Sequence, residues 1–179
     1  MRTFKIVLAG DGGVGKTTLL DAFRLGKFFQ HKTTIGLSIS LCTVNLEHGV
    51  KCKLIVYDFS GQPRFMRLAH EIPRILRGAH GAILAFDLSS FTTLLTLDQW
   101  AEVIRKVNGD IPLVLVGTKA DLEPEVSDND VKEFLEKLGA VAFVKTSSKL
   151  MLNVDKPFKL LAKMMMEKQG AIRHYQLGL

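Results

Sequence analysis

Short apolar runs recur along the chain and alternate with stretches that have helical spacing. Five runs have the length of buried strands: Phe4–Ala9, Leu54–Tyr57, Ala82–Phe86, Leu113–Val116 and Val141–Val144. Apolar residues at helical spacing lie between most of them: Thr18–Leu25, Leu94–Val107, Val131–Leu138 and Phe158–Glu167. Strands that alternate with helices predict an α/β fold, in which helices cover both faces of a doubly wound and mostly parallel sheet.

A further strand is predicted from a different pattern. The segment Leu37–Leu46 begins with alternating apolar and polar residues, and Glu47-His48-Gly49 then leads into the strand at Leu54. Two strands joined by such a short polar connection are typical of a β-hairpin. We therefore expect a six-stranded sheet with one antiparallel strand at its edge.

The length and composition fit a single globular domain. The chain has 179 residues, 47% hydrophobic and 23% charged, and compact domains cluster near roughly 100–150 residues. We expect one domain over residues 1–179 and a monomer. The net charge of +6 could indicate a polyanionic partner, but Lys and Arg are spread along the chain. Without a basic patch interleaved with aromatic residues, nucleic acid is not an expected partner.

Signals for membranes or oxidising compartments are missing from the sequence. No apolar stretch approaches the roughly 20 residues of a transmembrane helix. If the native chain ends at Leu179, it carries no cysteine for prenylation, so we expect membranes to be reached only indirectly. Cys42 and Cys52 lie too far apart for a CxxC motif and are predicted to be reduced thiols of a cytoplasmic protein.

A glycine-rich segment follows the first predicted strand. Its sequence GDGGVGKT, ending at Thr17, matches the phosphate-binding pattern GxxxxGK[ST] and precedes a predicted helix. Glycines let the backbone wrap closely around phosphates, and the helix N-terminus adds positive potential. Lys16 is expected to neutralise the β- and γ-phosphates, and the Thr17 hydroxyl to bind Mg²⁺. The candidate phosphate-binding residues are Gly12, Gly13, Val14, Gly15, Lys16, Thr17 and Thr18.

A second motif, DFSGQ, begins at Asp58 where the strand Leu54–Tyr57 ends. Ligands bind at this carboxyl edge of such sheets. Asp58 can hold Mg²⁺ through water, the amide of Gly61 can meet a γ-phosphate, and Gln62 can orient an attacking water. By itself the segment would be an ordinary turn after a strand. Its spacing behind the glycine-rich segment favours the functional interpretation.

A third motif, TKAD, follows the buried strand Leu113–Val116 and comprises Thr118, Lys119 and Asp121. The Asp121 carboxylate can accept hydrogen bonds from the N1–H and 2-amino groups of guanine. Adenine offers neither donor, and an unpaired buried carboxylate is unfavourable. The motif therefore predicts a preference for guanine over adenine nucleotides.

The fourth motif, TSSK, follows the strand Val141–Val144. Its backbone amides could contact the guanine O6 atom while a hydroxyl braces the loop. Alone it would be a weak signal, since such polar residues are common in loops. With the third motif it predicts guanine contacts from Ser147, Ser148 and Lys149.

Together these motifs resemble, in order and spacing, those of the Ras superfamily of small GTPases, from about Phe4 to Glu167. The resemblance implies a P-loop NTPase fold. Within the superfamily the Rab branch is most similar, through Gly10-Asp11, Thr34-Ile35-Gly36, Gly61-Gln62 with Arg64-Phe65, and Arg77-Gly78-Ala79.

The resemblance implies two further roles. Thr34 matches the threonine of switch I that joins Mg²⁺ when GTP is bound, with Thr33 as the competing candidate because this loop is about one residue shorter than in Ras. Phe28 matches the aromatic residue that packs against the guanine ring. The alternative for Phe28 is a core position at the end of the first helix.

Several residues depart from the family pattern. Thr118 replaces the more common Asn, Ser148 replaces Ala, and Pro63 stands where many relatives have Glu. Residues 62–77 form a segment about three residues longer than in Ras or Rab. Pro63 either restricts Gln62 to extended backbone geometry or begins a switch II helix at its first position.

The function implied is a molecular switch that hydrolyses GTP to GDP and phosphate, with Lys16 and Mg²⁺ stabilising charge and Gln62 positioning the water. Residues 31–36 contain no arginine, so we expect slow intrinsic turnover that an activating protein accelerates. An effector and an exchange factor are the other expected partners. Two alternatives stay open: a P-loop kinase of small molecules, and a nucleotide-loaded scaffold with negligible hydrolysis.

Overall fold

A computed structural model describes residues 1–30, 36–59, 61 and 72–170 of the chain. Its strands are β1 (Arg2–Ala9), β2 (Leu37–Asn45), β3 (Lys51–Phe59), β4 (Gly81–Asp87), β5 (Leu113–Thr118) and β6 (Ala142–Lys145). Its helices are α1 (Lys16–Leu25), α2 (Ile72–Leu76), α3 (Phe91–Leu95), α4 (Leu97–Asn108), α5 (Asp128–Lys137) and α6 (Lys156–Lys168), and a 3₁₀ turn spans Glu47–Gly49.

The six strands form one sheet in the order β2-β3-β1-β4-β5-β6. Five are parallel, and β2 pairs antiparallel with β3 at the edge, as the sequence predicted. Because β3 lies on one side of β1 and β4 on the other, the strand order reverses at β1. Ligands bind at such reversals, outside the carboxyl ends of the strands.

Each face of the sheet carries its own buried core. On one face, α1 and α6 meet through Phe23 and Phe158, whose rings stack 4.4 Å apart. On the other face, helices α2 to α5 cover the sheet, with Trp100 packed against Phe59. Every residue of β4 and β5 is buried, which explains why these strands are almost continuously apolar. The predicted doubly wound fold is confirmed.

The connection between β2 and β3 confirms the predicted hairpin. His48 and Gly49 have φ angles of 54° and 72°, and a two-residue turn of the kind that joins antiparallel strands requires positive φ at both central positions. The Leu46 N–H donates to the Val50 carbonyl at 2.8 Å across the turn.

One predicted helix is divided in two. The sequence predicted a single helix over Leu94–Val107, whereas α3 ends at Leu95 and α4 begins at Leu97. The residue between them, Thr96, donates its hydroxyl to the Thr93 carbonyl at 3.0 Å. Such local bonding competes with regular helical hydrogen bonds. Within the described ranges, no helix is long and apolar enough to cross a membrane.

Candidate nucleotide-binding site

The loop between β1 and α1 is shaped by glycines that no other residue could replace without strain. Gly10, Gly13 and Gly15 have φ angles of 146°, 76° and 97°. A Cβ atom on Gly10 would lie 2.0 Å from the Ala85 carbonyl oxygen in β4. The loop backbone therefore approaches the sheet more closely than any side chain would permit.

Lys16 begins α1 and is buried beneath this loop. Its Nζ atom donates to the carbonyl oxygens of Gly10 and Asp11, at 2.9 and 2.8 Å. Burial lowers the pKa of Lys16 to about 8, against the opposing attraction of the Asp58 and Asp11 carboxylates. The ammonium group thus lies fixed inside the loop and is mostly protonated at neutral pH.

Asp58 reaches the same loop from β3. Leu8 of β1 is in register with Asp58, so the two strands end side by side. The hydroxyl of Thr17 donates to Oδ2 of the buried Asp58. A hydroxyl and a carboxylate are hard oxygen ligands of the kind that Mg²⁺ takes together with water and phosphate. The pair therefore fits a magnesium ion at the start of α1.

Gly61 lies against the glycine-rich loop. A Cβ atom there would come within 2.1 Å of the Asp11 carbonyl carbon and 2.2 Å of the Gly12 nitrogen. The two backbones are in direct contact, so Gly61 borders the same space as Lys16 and Thr17.

The end of β5 is fastened to the glycine-rich loop by Thr118. Its buried hydroxyl lies 2.6 Å from the Val14 carbonyl oxygen and 2.9 Å from that of Phe86, and can donate to either. The Thr118 hydroxyl thus lies where it can join the end of β5 to either the glycine-rich loop or β4.

A second set of bonds orients Asp121. The hydroxyl of fully buried Ser147 donates to Asp121 Oδ1 at 2.6 Å, and the Leu150 N–H donates to Ser147 Oγ at 3.1 Å. The Ala120 N–H also bonds the Thr146 carbonyl, at 3.0 Å. The loops after β5 and β6 are thus joined, and the Asp121 carboxylate is held in place before any ligand arrives.

These segments enclose one pocket of about 470 Å³, a volume within the usual range of small-molecule sites. Phe28 is 42% exposed, which contradicts the alternative of a buried core position. The pocket is lined by Gly12, Gly13, Val14, Gly15, Lys16, Thr17, Thr18, Phe28, Gln30, Gly61, Thr118, Lys119, Asp121, Leu122, Ser148 and Lys149.

Comparison with known proteins decides the family. The sequence model of the Ras family matches residues 5–167, nearly the whole chain. The chain belongs to the Ras family.

The similar proteins are Ras-related proteins from fungi, animals and plants. Ras-related protein SEC4 of Saccharomyces cerevisiae is 38% identical over 92% of this chain and 75% of its own length. Ras-related protein Rab-19 of Homo sapiens is 34% identical over 89% of this chain and 74% of its own length. Ras-related protein RABA2a of Arabidopsis thaliana is 35% identical over 88% of this chain and 72% of its own length. The predicted resemblance to the Ras superfamily and its Rab branch is confirmed.

Membership of the Ras family establishes the activity at a coarse level. The protein is a small GTPase that hydrolyses GTP and acts as a nucleotide-dependent switch. Ras-family GTPases in general use Mg²⁺ with GTP and GDP, and respond to regulators and effectors. Neither the small-molecule kinase nor the scaffold without hydrolysis finds support in these relatives.

Four residues with predicted roles lie outside the described residues. These are Thr33, Thr34, Gln62 and Pro63. Gln30 and Leu122 line the pocket without having been predicted. Each is within two residues of a predicted site residue, and no motif marks either one.

Proposed function

We propose that the pocket binds one guanine nucleotide, with its phosphates in the loop before α1 and its base near Phe28 and Asp121. The observation that supports this most directly is the pocket itself, which Lys16 and Asp121 both line. Asp121 is also oriented in advance by Ser147. A preformed carboxylate that needs two donors favours guanine and rejects adenine.

At the phosphate end, the loop amides and Lys16 hold the β- and γ-phosphates. A bound Mg²⁺ would be held by Thr17, by Asp58 through water and, with GTP, by Thr34, and would supply positive charge beside the phosphates. The amide of Gly61 contacts the γ-phosphate only when it is present, which makes the bound state depend on that group. The proposed phosphate-binding residues are Gly12, Gly13, Val14, Gly15, Lys16, Thr17, Thr18 and Gly61.

At the base end, Phe28 packs against the purine ring while Asp121 accepts its two hydrogen bonds. Thr118 braces the loops, and backbone amides near Ser148 contact the guanine O6 atom. The proposed guanine-binding residues are Phe28, Thr118, Lys119, Asp121, Ser147, Ser148 and Lys149.

For hydrolysis, Gln62 orients a water that attacks the γ-phosphorus in line. The bond from phosphorus to the β–γ bridging oxygen breaks, and GDP and phosphate are the products. The Lys16 ammonium stabilises charge that develops on the phosphate oxygens. Without an arginine in residues 31–36, turnover by the isolated protein is slow, and an activating protein supplies the missing charge.

We propose a monomeric switch whose single domain spans the chain and is read by an effector and reset by an exchange factor. Cys42 and Cys52 are both free and buried, which supports a reducing compartment such as the cytoplasm.

The substitution Asp121→Asn tests the base assignment. The new amide can donate to the 2-oxo group of xanthine, so the preference should move from GDP toward XDP. Calorimetry with GDP and XDP measures both affinities, and Asp98→Asn, which removes a carboxylate from an exposed ion pair with Lys137, is the control. If Asp121→Asn still prefers GDP as wild type does, Asp121 is not the guanine acceptor.

A further inference from the structure

A nearly buried carboxylate outside the pocket forms an ion pair with one of the residues that line the pocket. Asp87 ends β4 and does not line the pocket. Its Oδ2 atom lies 2.6 Å from the Nζ atom of Lys119, and the side chains of Asp87 and Lys119 are 10% and 38% exposed. Lys119 itself belongs to the pocket lining.

The carboxylate of Asp87 is fixed from its other side. Ser89 donates both its N–H and its hydroxyl to Asp87 Oδ1, at 2.8 and 2.6 Å. The Asp87 N–H donates to the Thr93 hydroxyl at 2.9 Å. Burial acts to raise the pKa of Asp87, but the hydrogen bonds from Lys119 and Ser89 and the charge of Lys119 outweigh it and hold the pKa below its usual value of 3.8. The group is therefore a rigid anion at neutral pH.

The ion pair with Asp87 restricts the conformation of Lys119. Lys119 lies directly after β5 with a φ angle of 56°, in the left-handed region that residues with side chains rarely adopt. A lysine side chain has many rotamers, and ordering it when a ligand binds opposes binding. With its ammonium group tied to Asp87, Lys119 is ordered before the nucleotide arrives.

We propose that Asp87 is a positioning residue for guanine-nucleotide binding, which acts by holding Lys119 in the pocket wall. The inference rests on the proposed function, since it assumes that the nucleotide lies against Lys119. None of the four motifs contains Asp87.

The test is a double-substitution cycle that follows the release of GDP from magnesium-loaded protein by stopped-flow fluorescence of a labelled nucleotide. Asp87→Asn should accelerate release about tenfold, while Asp98→Asn, which breaks an exposed aspartate–lysine pair, should leave it unchanged. In a Lys119→Met background, Asp87→Asn should add no further acceleration, because its target is gone.

Other outcomes would overturn the proposal. Release from Asp87→Asn within twofold of wild type would do so, as would an equal acceleration in the Lys119→Met background, because Asp87 would then act independently of Lys119. If Asp87→Asn does not fold, Ser89→Ala loosens the same carboxylate and is judged by the same two comparisons. Failure of wild type to bind GDP would instead contradict the proposed function.

Discussion

The two ends of the pocket are built in different ways. At the phosphate end, one continuous segment, Gly10–Thr17, forms the loop and the start of α1, and its shape depends on backbone conformation and on Gly10 lying against β4. At the base end, separate loops after β5 and β6 meet, and side-chain hydrogen bonds from Ser147 and Thr118 hold them together.

The difference indicates how each end responds to change. At the backbone-built end, a Cβ atom added at Gly10 or Gly61 would collide with neighbouring backbone, so substitutions there should affect folding and the positions of the phosphates. The base end is held by individual hydrogen bonds. Each substitution that removes one of them should therefore lower nucleotide affinity or base selectivity by a limited amount.

Gly10→Ala should destabilise the fold severely, by about 3 kcal/mol or more, because its Cβ atom would collide with the Ala85 carbonyl oxygen 2.0 Å away. Gly26→Ala is the matched control, since Gly26 has a φ angle of 67° but open space around its Cβ position. It should be destabilising by only about 1 kcal/mol. Urea unfolding measures both, and equal losses would show that backbone strain alone explains the effect.

Ser147→Ala should weaken GDP binding about tenfold to a hundredfold, because a hydrogen bond to a charged group contributes about 1.5–3 kcal/mol. The rate of GTP cleavage in a single turnover should stay near that of wild type, since the phosphate end is unchanged. Ser40→Ala, which removes a hydroxyl bonded to Arg24 at 3.2 Å, is the control and should alter neither. Unchanged GDP affinity in Ser147→Ala would mean that Asp121 does not depend on this serine.

Gln62→Leu should have the opposite effect to Ser147→Ala, because it should change the rate of hydrolysis and not the affinity for GDP. Single-turnover GTP hydrolysis should slow about tenfold, or about 1.4 kcal/mol, while GDP affinity stays almost unchanged. Quenched-flow measurement of phosphate release follows the first quantity, and calorimetry the second.

Pro63 provides the competing outcome for that experiment. If the proline turns Gln62 away from the water, Gln62→Leu should have no effect and Pro63→Glu should accelerate hydrolysis. Rapid hydrolysis that is indifferent to both substitutions would contradict the assignment of Gln62.

The smallest expected effect is a pH dependence at the base end. The folded-state pKa of Asp87 is lowered from 3.8, so its stabilisation is present above that value and is lost as pH falls through the lower folded pKa. The stability difference between wild type and Asp87→Asn should therefore shrink on acidification from about pH 5 to about pH 3. Urea unfolding midpoints of both proteins at the two pH values check this. A stability difference that grows on acidification would contradict the lowered pKa of Asp87.

Much of the fold and the phosphate end could be predicted because their signals are local. The glycine-rich loop is a continuous eight-residue segment, and the hairpin turn needs only two neighbouring residues with positive φ. Fully buried strands such as β4 are visible as apolar runs. The interruption at Thr96 could not be predicted, because the helical spacing of apolar residues continues through it.

The bonds that organise the base end join residues far apart in sequence. Thr118 contacts the Val14 carbonyl across 104 positions, and Ser147 reaches Asp121 across 26. The motifs predicted that these residues share a site, but not which atom holds which. The Asp87–Lys119 pair had no sequence signal, because its geometry exists only once β4 and β5 lie side by side.

The central claim is that a preformed Asp121 carboxylate selects guanine in a pocket whose other end holds phosphates. Calorimetry of nucleotide-free wild-type protein with GDP and ATP in the presence of Mg²⁺ tests it most directly. We expect GDP to bind at least about 10⁴-fold more tightly than ATP, the order by which sites built on hydrogen bonds reject analogues that cannot form them. Comparable affinities for the two nucleotides would contradict it.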